Sequence, residues 1–76
     1  MFKDKILLVT GGTGSFGNAL VRRFIKEDIK EIRILSRDEK KQDDMRKQYQ
    51  DDRLKFFIGD VRDRNSLVHA VKGADY

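Results

Sequence analysis

The fold is decided by the stretch Ile6-Leu7-Leu8-Val9-Thr10-Gly11-Gly12-Thr13-Gly14-Ser15-Phe16-Gly17. Its first four residues are apolar, as in a parallel strand that is covered on both faces. Spaced glycines follow in two overlapping registers, Gly11, Gly14 and Gly17 or Gly12, Gly14 and Gly17, and a helical pattern then begins. An ordinary strand-to-helix turn would also accept these glycines. A strand before, a helix after and a second strand within about 30 residues are the context of a dinucleotide-binding fingerprint, so the stretch predicts phosphate binding.

The glycines of this loop have separate physical roles. Gly11 or Gly12 supplies a backbone conformation that other residues adopt only with strain. A side chain at Gly14 would block the close approach of a pyrophosphate, and a side chain at Gly17 would hinder packing of the helix on the strand. The helix N-terminus adds free N–H groups and a partial positive charge, so we expect the loop to hold phosphates.

The rest of the chain alternates strands and helices. Strands are predicted at about 5–10, 31–35 and 54–58, and helices at about 15–26, 39–50 and 64–72, with Asp63 as a candidate cap of the third helix. This order predicts an α/β fold, the N-terminal part of a Rossmann doubly wound parallel sheet, β-α-β-α-β-α, with strand order 3-2-1. The residues predicted to face the core are Phe16, Leu20 and Phe24 in the first helix, Met45 and Tyr49 in the second, Leu67, Val68 and Val71 in the third, and Phe56, Phe57 and Ile58 in the third strand.

The last three residues, Ala74-Asp75-Tyr76, have the pattern of an approach to a fourth strand. In a doubly wound fold that strand lies beside the first strand, on its open side. Without it the most apolar strand would be an edge, and an apolar edge invites pairing with another chain. We therefore expect residues 1–76 to be the N-terminal portion of an NAD(P)-binding Rossmann domain, truncated before the fourth strand.

Composition excludes several classes of protein. The 76 residues include no cysteine, which rules out disulfides, thiol catalysis and zinc-thiolate sites. No apolar stretch approaches the roughly 18 residues of a membrane span, and no signal peptide is recognisable, so we expect a cytoplasmic protein. The net charge is +4, but basic and acidic residues alternate closely, whereas a nucleic-acid groove usually has a cleaner basic stripe with aromatics. We predict no nucleic-acid partner; salt-dependent binding would reveal one. His69, the single histidine, lacks companions at metal-ligand spacing, so no metal site is predicted.

With the glycine loop, Ser36-Arg37-Asp38 and Gly59-Asp60-Val61-Arg62-Asp63 in place, the chain resembles the extended short-chain dehydrogenase/reductase family. Its Ser36-Arg37-Asp38-Glu39-Lys40-Lys41 segment is similar, more narrowly, to the inverting UDP-N-acetylglucosamine 4,6-dehydratases of bacterial polysaccharide biosynthesis. That resemblance implies a lyase that binds NADP and passes a hydride from C4 of a sugar to C6 while water is eliminated across C5 and C6. It also implies that the nucleotide-sugar substrate and every catalytic residue belong to sequence beyond Tyr76, and that the full-length protein is a homo-oligomer. No catalytic residue is predicted within the chain.

The resemblance also implies which residues bind the cofactor. They are Gly11, Thr13, Gly14, Ser15, Phe16 and Gly17 around the pyrophosphate, Ser36, Arg37, Lys40 and Lys41 at the adenosine phosphate, and Asp60 and Val61 beside the adenine. NAD-selective sites have a carboxylate at the end of the second strand, where this chain has Ser36. Arg37 follows, and a guanidinium can hold a 2′-phosphate through two parallel hydrogen bonds. Asp38 could serve NAD instead, so NADP is predicted and NAD is the alternative.

Two other functions remain open at this stage. One is another nucleotide-sugar epimerase or reductase of the same family, which downstream sequence would distinguish from a dehydratase. The other is a non-catalytic domain that senses NADP, which would keep the glycine loop and Arg37 but lack a downstream catalytic lysine. Both keep the predicted cofactor site.

Overall fold

A computed structural model describes residues 3–11 and 14–76. Three strands, β1 (Ile6–Thr10), β2 (Glu31–Ser36) and β3 (Leu54–Ile58), alternate with three helices, α1 (Ser15–Phe24), α2 (Glu39–Tyr49) and α3 (Arg64–Val71). The sheet order is β1-β2-β3, and both neighbouring pairs are parallel. The predicted α/β fold and strand order are therefore confirmed.

The core lies on both faces of the central strand. Ile32 and Ile34 of β2 have no exposed surface, because β2 has a strand on each side and helices across it. The cluster around them consists of Val9, Val21, Ile29, Met45 and Leu54. β2 is therefore the central, most buried strand, and its pairing with β1 and β3 fixes where those two strands end.

Of the three residues predicted to face the core on α1, the prediction is wrong for Phe16 and right for Leu20 and Phe24. Phe16 is 77% exposed, whereas Gly17 and Val21 are buried and Leu20 and Phe24 pack against the core. The buried residues recur at i, i+3, i+4 and i+7, which is an ordinary amphipathic stripe. Its rotation brings the glycine against the sheet and leaves Phe16 on the outer side of the first turn.

The predicted burial of β3 and α3 is also corrected. Ile58 is 55% exposed and Val68 and Val71 are 52% and 42% exposed, while Ala70 is fully buried. Among the described residues β3 has β2 as its one sheet neighbour, so the run 56–58 is covered less completely than a central strand. On α3 the small Ala70 packs closest to the sheet, and the valines flank it.

Residues 75 and 76 lie along the open edge of β1, as expected. The Tyr76 amide donates to the Ile6 carbonyl at 3.2 Å, and the Leu8 amide donates to the Tyr76 carbonyl at 3.0 Å. Two such bonds flanking Leu7 are the pattern of a parallel strand pair. The Asp75 carboxylate also accepts from the Ile6 amide at 2.8 Å. Continuation of this segment into a fourth strand stays a prediction.

Candidate functional site

A cleft of about 360 Å³ lies at the carboxyl ends of the three strands. It is lined by Gly11, Leu35, Ser36, Arg37, Asp38, Gly59, Asp60 and Val61. Backbone hydrogen bonds bring the strand ends together: the Gly11 amide donates to the Leu35 carbonyl at 2.8 Å, and the Gly59 amide donates to the Ser36 carbonyl at 2.9 Å. The carboxyl edge of a parallel sheet is where open α/β proteins bind their ligands.

Gly11 adopts a left-handed backbone with φ +64°, which bears out the predicted need for glycine at the turn. Gly12 and Thr13 lie outside the described residues. Gly14 has φ −81° and ψ −179°, a conformation open to any residue. A Cβ there would meet the Gly11 carbonyl oxygen at 3.5 Å, an ordinary contact. Neither backbone strain nor packing among the described residues requires glycine at position 14, and close approach of a ligand there stays a prediction.

The N-terminus of α1 differs from those of the other two helices. It follows Gly14 and has no side-chain cap, and its first turn, like that of α3, has no acidic residue. By contrast, Asp38 caps α2 by accepting from the Lys41 amide, and Asp63 caps α3 as predicted. The first amides of a helix lack intrahelical partners and carry a partial positive charge. At α1 this charge is not offset by a local carboxylate, as an anion site requires. Ser15 and Phe16 lie in this exposed first turn.

Ser36 ends β2 beneath the cleft and is 7% exposed. Its hydroxyl accepts from Gln42 Nε2 at 3.1 Å and from the Asp38 amide at 3.3 Å. Gln42 is 2% exposed and also donates to the Phe57 carbonyl at 2.8 Å. The sequence reasoning missed Gln42. Its spacing of three and seven residues from Met45 and Tyr49 is the signal that could have found it.

Asp38 and Arg37 leave β2 with different roles. The Asp38 carboxylate is engaged in the cap of α2, 3.0 Å from the Lys41 amide. The Arg37 side chain is 72% exposed and lines the cleft, with Nη1 3.4 Å from Asp60 Oδ2. Asp38 caps α2 through one carboxylate oxygen and still lines the cleft beside Arg37, so this geometry leaves both NAD and NADP open.

Asp60 is held mainly by Arg62. Arg62 Nη2 lies 2.8 Å from Asp60 Oδ2, Arg62 Nε lies 3.2 Å from both carboxylate oxygens, and the Arg62 amide donates to Oδ1 at 2.9 Å. These hydrogen bonds, with smaller help from the charges of Arg62 and Arg37, lower the pKa of Asp60 to about 2. Asp60 is therefore a carboxylate at neutral pH. Arg62 was not among the predicted site residues, although the spacing Asp-x-Arg was visible in the sequence.

The two lysines of the predicted site lie elsewhere or point outward. Lys40 lines a different groove, about 460 Å³ between α2 and β3, and its Nζ lies 3.4 Å from Asp44 Oδ2. Lys41 is exposed. The structure brings Gly11, Ser36, Arg37, Asp60 and Val61 together in one cleft but does not bring Lys40 there. Contact of either lysine with a phosphate stays a prediction.

Residues 3–11 and 14–76 contain no group of three or more His, Asp or Glu side chains placed to hold a metal ion. Within the same ranges, the helices are too short and too polar to cross a membrane.

The family follows from a match over nearly the whole chain. Residues 7–76 match the family model described as polysaccharide biosynthesis protein. The chain belongs to this family. It is 62% identical over its whole length to the UDP-glucose 4-epimerase of Rickettsia bellii (strain RML369-C) and 60% identical to that of Rickettsia prowazekii (strain Madrid E). In each case it spans 24% of the relative. A solved structure, Pen from Bacillus thuringiensis, matches with a TM-score of 0.92 and 33% identity over the whole chain and 24% of that protein.

These matches correct one prediction and confirm a broader one. Assignment to polysaccharide biosynthesis is confirmed by the family model. The narrower prediction of a lyase, a 4,6-dehydratase, is wrong, because the similar relatives are named as 4-epimerases, which are isomerases. The Ser36–Lys41 segment did not separate the two activities, since it lies at the cofactor end of the fold and carries no information about the sugar.

Proposed function

We propose that this chain is the NADP-binding portion of a nucleotide-sugar epimerase of the kind for which its relatives are named. It would form the amino-terminal quarter of a longer enzyme whose substrate is a UDP-linked hexose. Identity of 60–62% to UDP-glucose 4-epimerases over the whole chain supports the class of reaction. The cleft at the strand ends supports the role of this portion in holding a dinucleotide. Homo-oligomerisation of the longer protein stays a prediction.

The proposed cofactor site assigns one chemical group to each part of the cleft. The loop from Gly11 to the first turn of α1 holds the pyrophosphate, where Gly14 offers room and the helix offers amides. Asp60 and Val61 lie beside the adenine. Arg37 holds the 2′-phosphate. These residues bind and orient; we assign them no proton transfer.

The observation that carries the choice of NADP is the division of roles between Arg37 and Asp38. A site selective for NAD needs a free carboxylate at the end of the second strand to accept from the ribose 2′-OH. Asp38 lines the cleft, but one of its carboxylate oxygens accepts from the Lys41 amide, whereas the Arg37 guanidinium is 72% exposed there. A guanidinium suits a phosphate, with which it forms charge-assisted hydrogen bonds.

The reaction needs no net oxidant. In 4-epimerisation the C4–H bond breaks as a hydride leaves and the C4 hydroxyl gives up its proton, which forms a 4-keto sugar. A hydride then returns to the opposite face of the same carbon and a proton returns to its oxygen. A nicotinamide cofactor, when bound, supplies the acceptor and the donor for that hydride. The residues of this chain hold the cofactor in place, and the groups that move protons belong to the remaining three quarters of the enzyme.

Calorimetric titration of the chain with NADP and with NAD tests the cofactor site. Wild type is expected to bind NADP more tightly than NAD. Arg37→Ala should reduce the NADP affinity about 10- to 100-fold, because hydrogen bonds to charged groups contribute about 1.5–3 kcal/mol, and should leave NAD affinity nearly unchanged. Arg22→Ala is the matched control, since Arg22 is exposed in the last turn of α1, at the opposite end of that helix.

Three results would count against the proposal. Equal effects of Arg37→Ala and Arg22→Ala on NADP would remove Arg37 from the site. Tighter binding of NAD by wild type would replace NADP with NAD. Absence of both affinities in a chain with a folded circular-dichroism spectrum would contradict the dinucleotide site. The sensing-domain alternative is separated by turnover: an epimerase interconverts UDP-glucose and its C4 epimer in the longer protein, and a sensor does not.

A further inference from the structure

We infer that Arg62 is a positioning residue for cofactor selectivity: by satisfying the Asp60 carboxylate, it frees Arg37 to bind the 2′-phosphate. This inference rests on the proposed function and assigns a role to a residue outside the predicted site. It is carried by the geometry of three charged groups: Arg37 and Asp60 line one cleft, and Arg62 forms an ion pair with Asp60.

The two arginines hold Asp60 unequally. Arg62 approaches both carboxylate oxygens through Nε and Nη2 at 2.8–3.2 Å and adds its own backbone amide at 2.9 Å. Arg37 reaches a single oxygen, with Nη1 at 3.4 Å, which is longer than the usual range of an N–H···O hydrogen bond. Asp60 is therefore well satisfied by Arg62 alone, and Arg37 has a long, exposed contact that it can leave at little cost.

The charge of the cluster leads to the same role. These two guanidiniums and one carboxylate sum to +1 at neutral pH, where Asp60 is ionised with or without Arg62. A 2′-phosphate brings roughly one and a half to two negative charges to this place. If Arg62 were neutral, the cluster would sum to zero and Arg37 would be the one arginine left to Asp60. The phosphate would then compete with Asp60 for Arg37 and meet an unscreened negative charge.

The arrangement also explains how an acidic residue is tolerated beside a phosphate site. Asp60 follows β3 and lines the same cleft as Arg37, and by itself a carboxylate there would repel a phosphate. Arg62 lies two residues further along the chain, and the turn between them closes the pair locally. NAD lacks the 2′-phosphate, so its binding does not depend on this neutralisation. Arg62 thus affects the ratio of the two affinities without touching the cofactor.

The test is titration of the chain with NADP and NAD in a set of matched variants. Arg62→Gln should lower NADP affinity about three- to fivefold, the size of a solvent-exposed charge interaction, and change NAD affinity less than twofold. The loss should shrink at high salt, because exposed charges are screened. Arg62→Lys keeps the charge and should retain most of the NADP preference. Arg64→Gln removes an equal charge two residues away, from a side chain without an ion pair to Asp60, and should leave the ratio unchanged.

A second-site variant separates positioning from simple stability. In the double variant Asp60→Asn with Arg62→Gln, the competing carboxylate is gone, so the NADP-to-NAD affinity ratio should return to the wild-type value whatever happens to the absolute affinities. Equal losses of NADP and NAD in Arg62→Gln, or no loss of either, would overturn the inference. If wild type does not bind NADP more tightly than NAD, or if Arg37→Ala leaves that preference unchanged, the proposed cofactor site itself is wrong. If the preference for NADP is reduced by Arg37→Ala but not by Arg62→Gln, the cofactor site stands and only the inference about Arg62 is wrong.

Discussion

Gln42 Nε2 lies 2.8 Å from the carbonyl oxygen of Phe57, and through this contact α2 is joined to the end of β3 directly beneath the cleft. The same nitrogen donates to the Ser36 hydroxyl at 3.1 Å, so one amide connects the ends of β2 and β3. Because the side chain is buried, its partners have no ready access to water. Gln42 therefore adds to the backbone hydrogen bond between Gly59 and Ser36 in holding together the two strand ends that precede Arg37 and Asp60.

Replacing Gln42 by leucine should lower the free energy of unfolding by about 1–3 kcal/mol, because it leaves the Phe57 carbonyl and the Ser36 hydroxyl without their donor. Chemical denaturation followed by circular dichroism measures the change. Gln48→Leu on the exposed side of the same helix is the control, with an expected change within about 0.5 kcal/mol. Equal effects of the two substitutions would contradict the connecting role of Gln42.

Gly59→Ala should destabilise the fold by about 1–3 kcal/mol through overpacking. A Cβ at this position would lie 2.5 Å from the Ser66 Cβ, closer than any real contact, so α3 or the β3 end must shift. Thermal unfolding of the variant beside wild type measures the cost. An unchanged melting temperature would mean that α3 moves away from the strand without loss of packing.

Gly14→Ala should behave in the opposite way. The added Cβ has only ordinary contact with the Gly11 carbonyl, so stability should change little. Binding of both NADP and NAD should weaken about tenfold or more, since the methyl group would occupy the space where we place the pyrophosphate. Titration with both dinucleotides, with the melting temperature as the folding control, tests this. Unaltered affinity for both would place the phosphates elsewhere.

Acid should weaken the fold through Asp60. Its pKa in the folded chain is about 2, below the value of about 3.8 for a free aspartate. A carboxylate with a lowered pKa contributes stability that is fully present above the higher value and is lost as pH falls toward the lower one. Unfolding measured between pH 6 and pH 2 should therefore lose stability mainly below about pH 4, and Asp60→Asn should flatten part of that loss. A variant with the same slope as wild type would show that the Arg62–Asp60 pair does not persist in solution.

Local sequence patterns predicted those parts of the molecule that local physics determines. The apolar run before Gly11 predicted β1, and Asp63 predicted the cap of α3, because strand composition and cap geometry depend on neighbours in the chain. Phe16 and Gln42 were misjudged for a different reason. Which side of a helix meets the sheet, and whether a buried amide finds partners, depends on residues far away in sequence. The Arg62–Asp60 pair joins residues two apart in the sequence and could have been predicted. The contact of Arg37 with Asp60 depends instead on the distance between the ends of β2 and β3, which the sequence alone does not give.

Pairing of Tyr76 with β1 has a consequence for the order in which the molecule can be completed. Residue 76 bonds to residues 6 and 8, so β1 acquires the partner on its second edge from a segment that follows α3 in the sequence. During synthesis from the N-terminus, β2 and β3 are therefore complete before β1 is paired on its second edge. Amide hydrogen exchange at Leu8 should therefore become slow only in chains that include the C-terminal three residues, and a chain shortened to residue 73 should exchange there much faster while Ile34 remains protected.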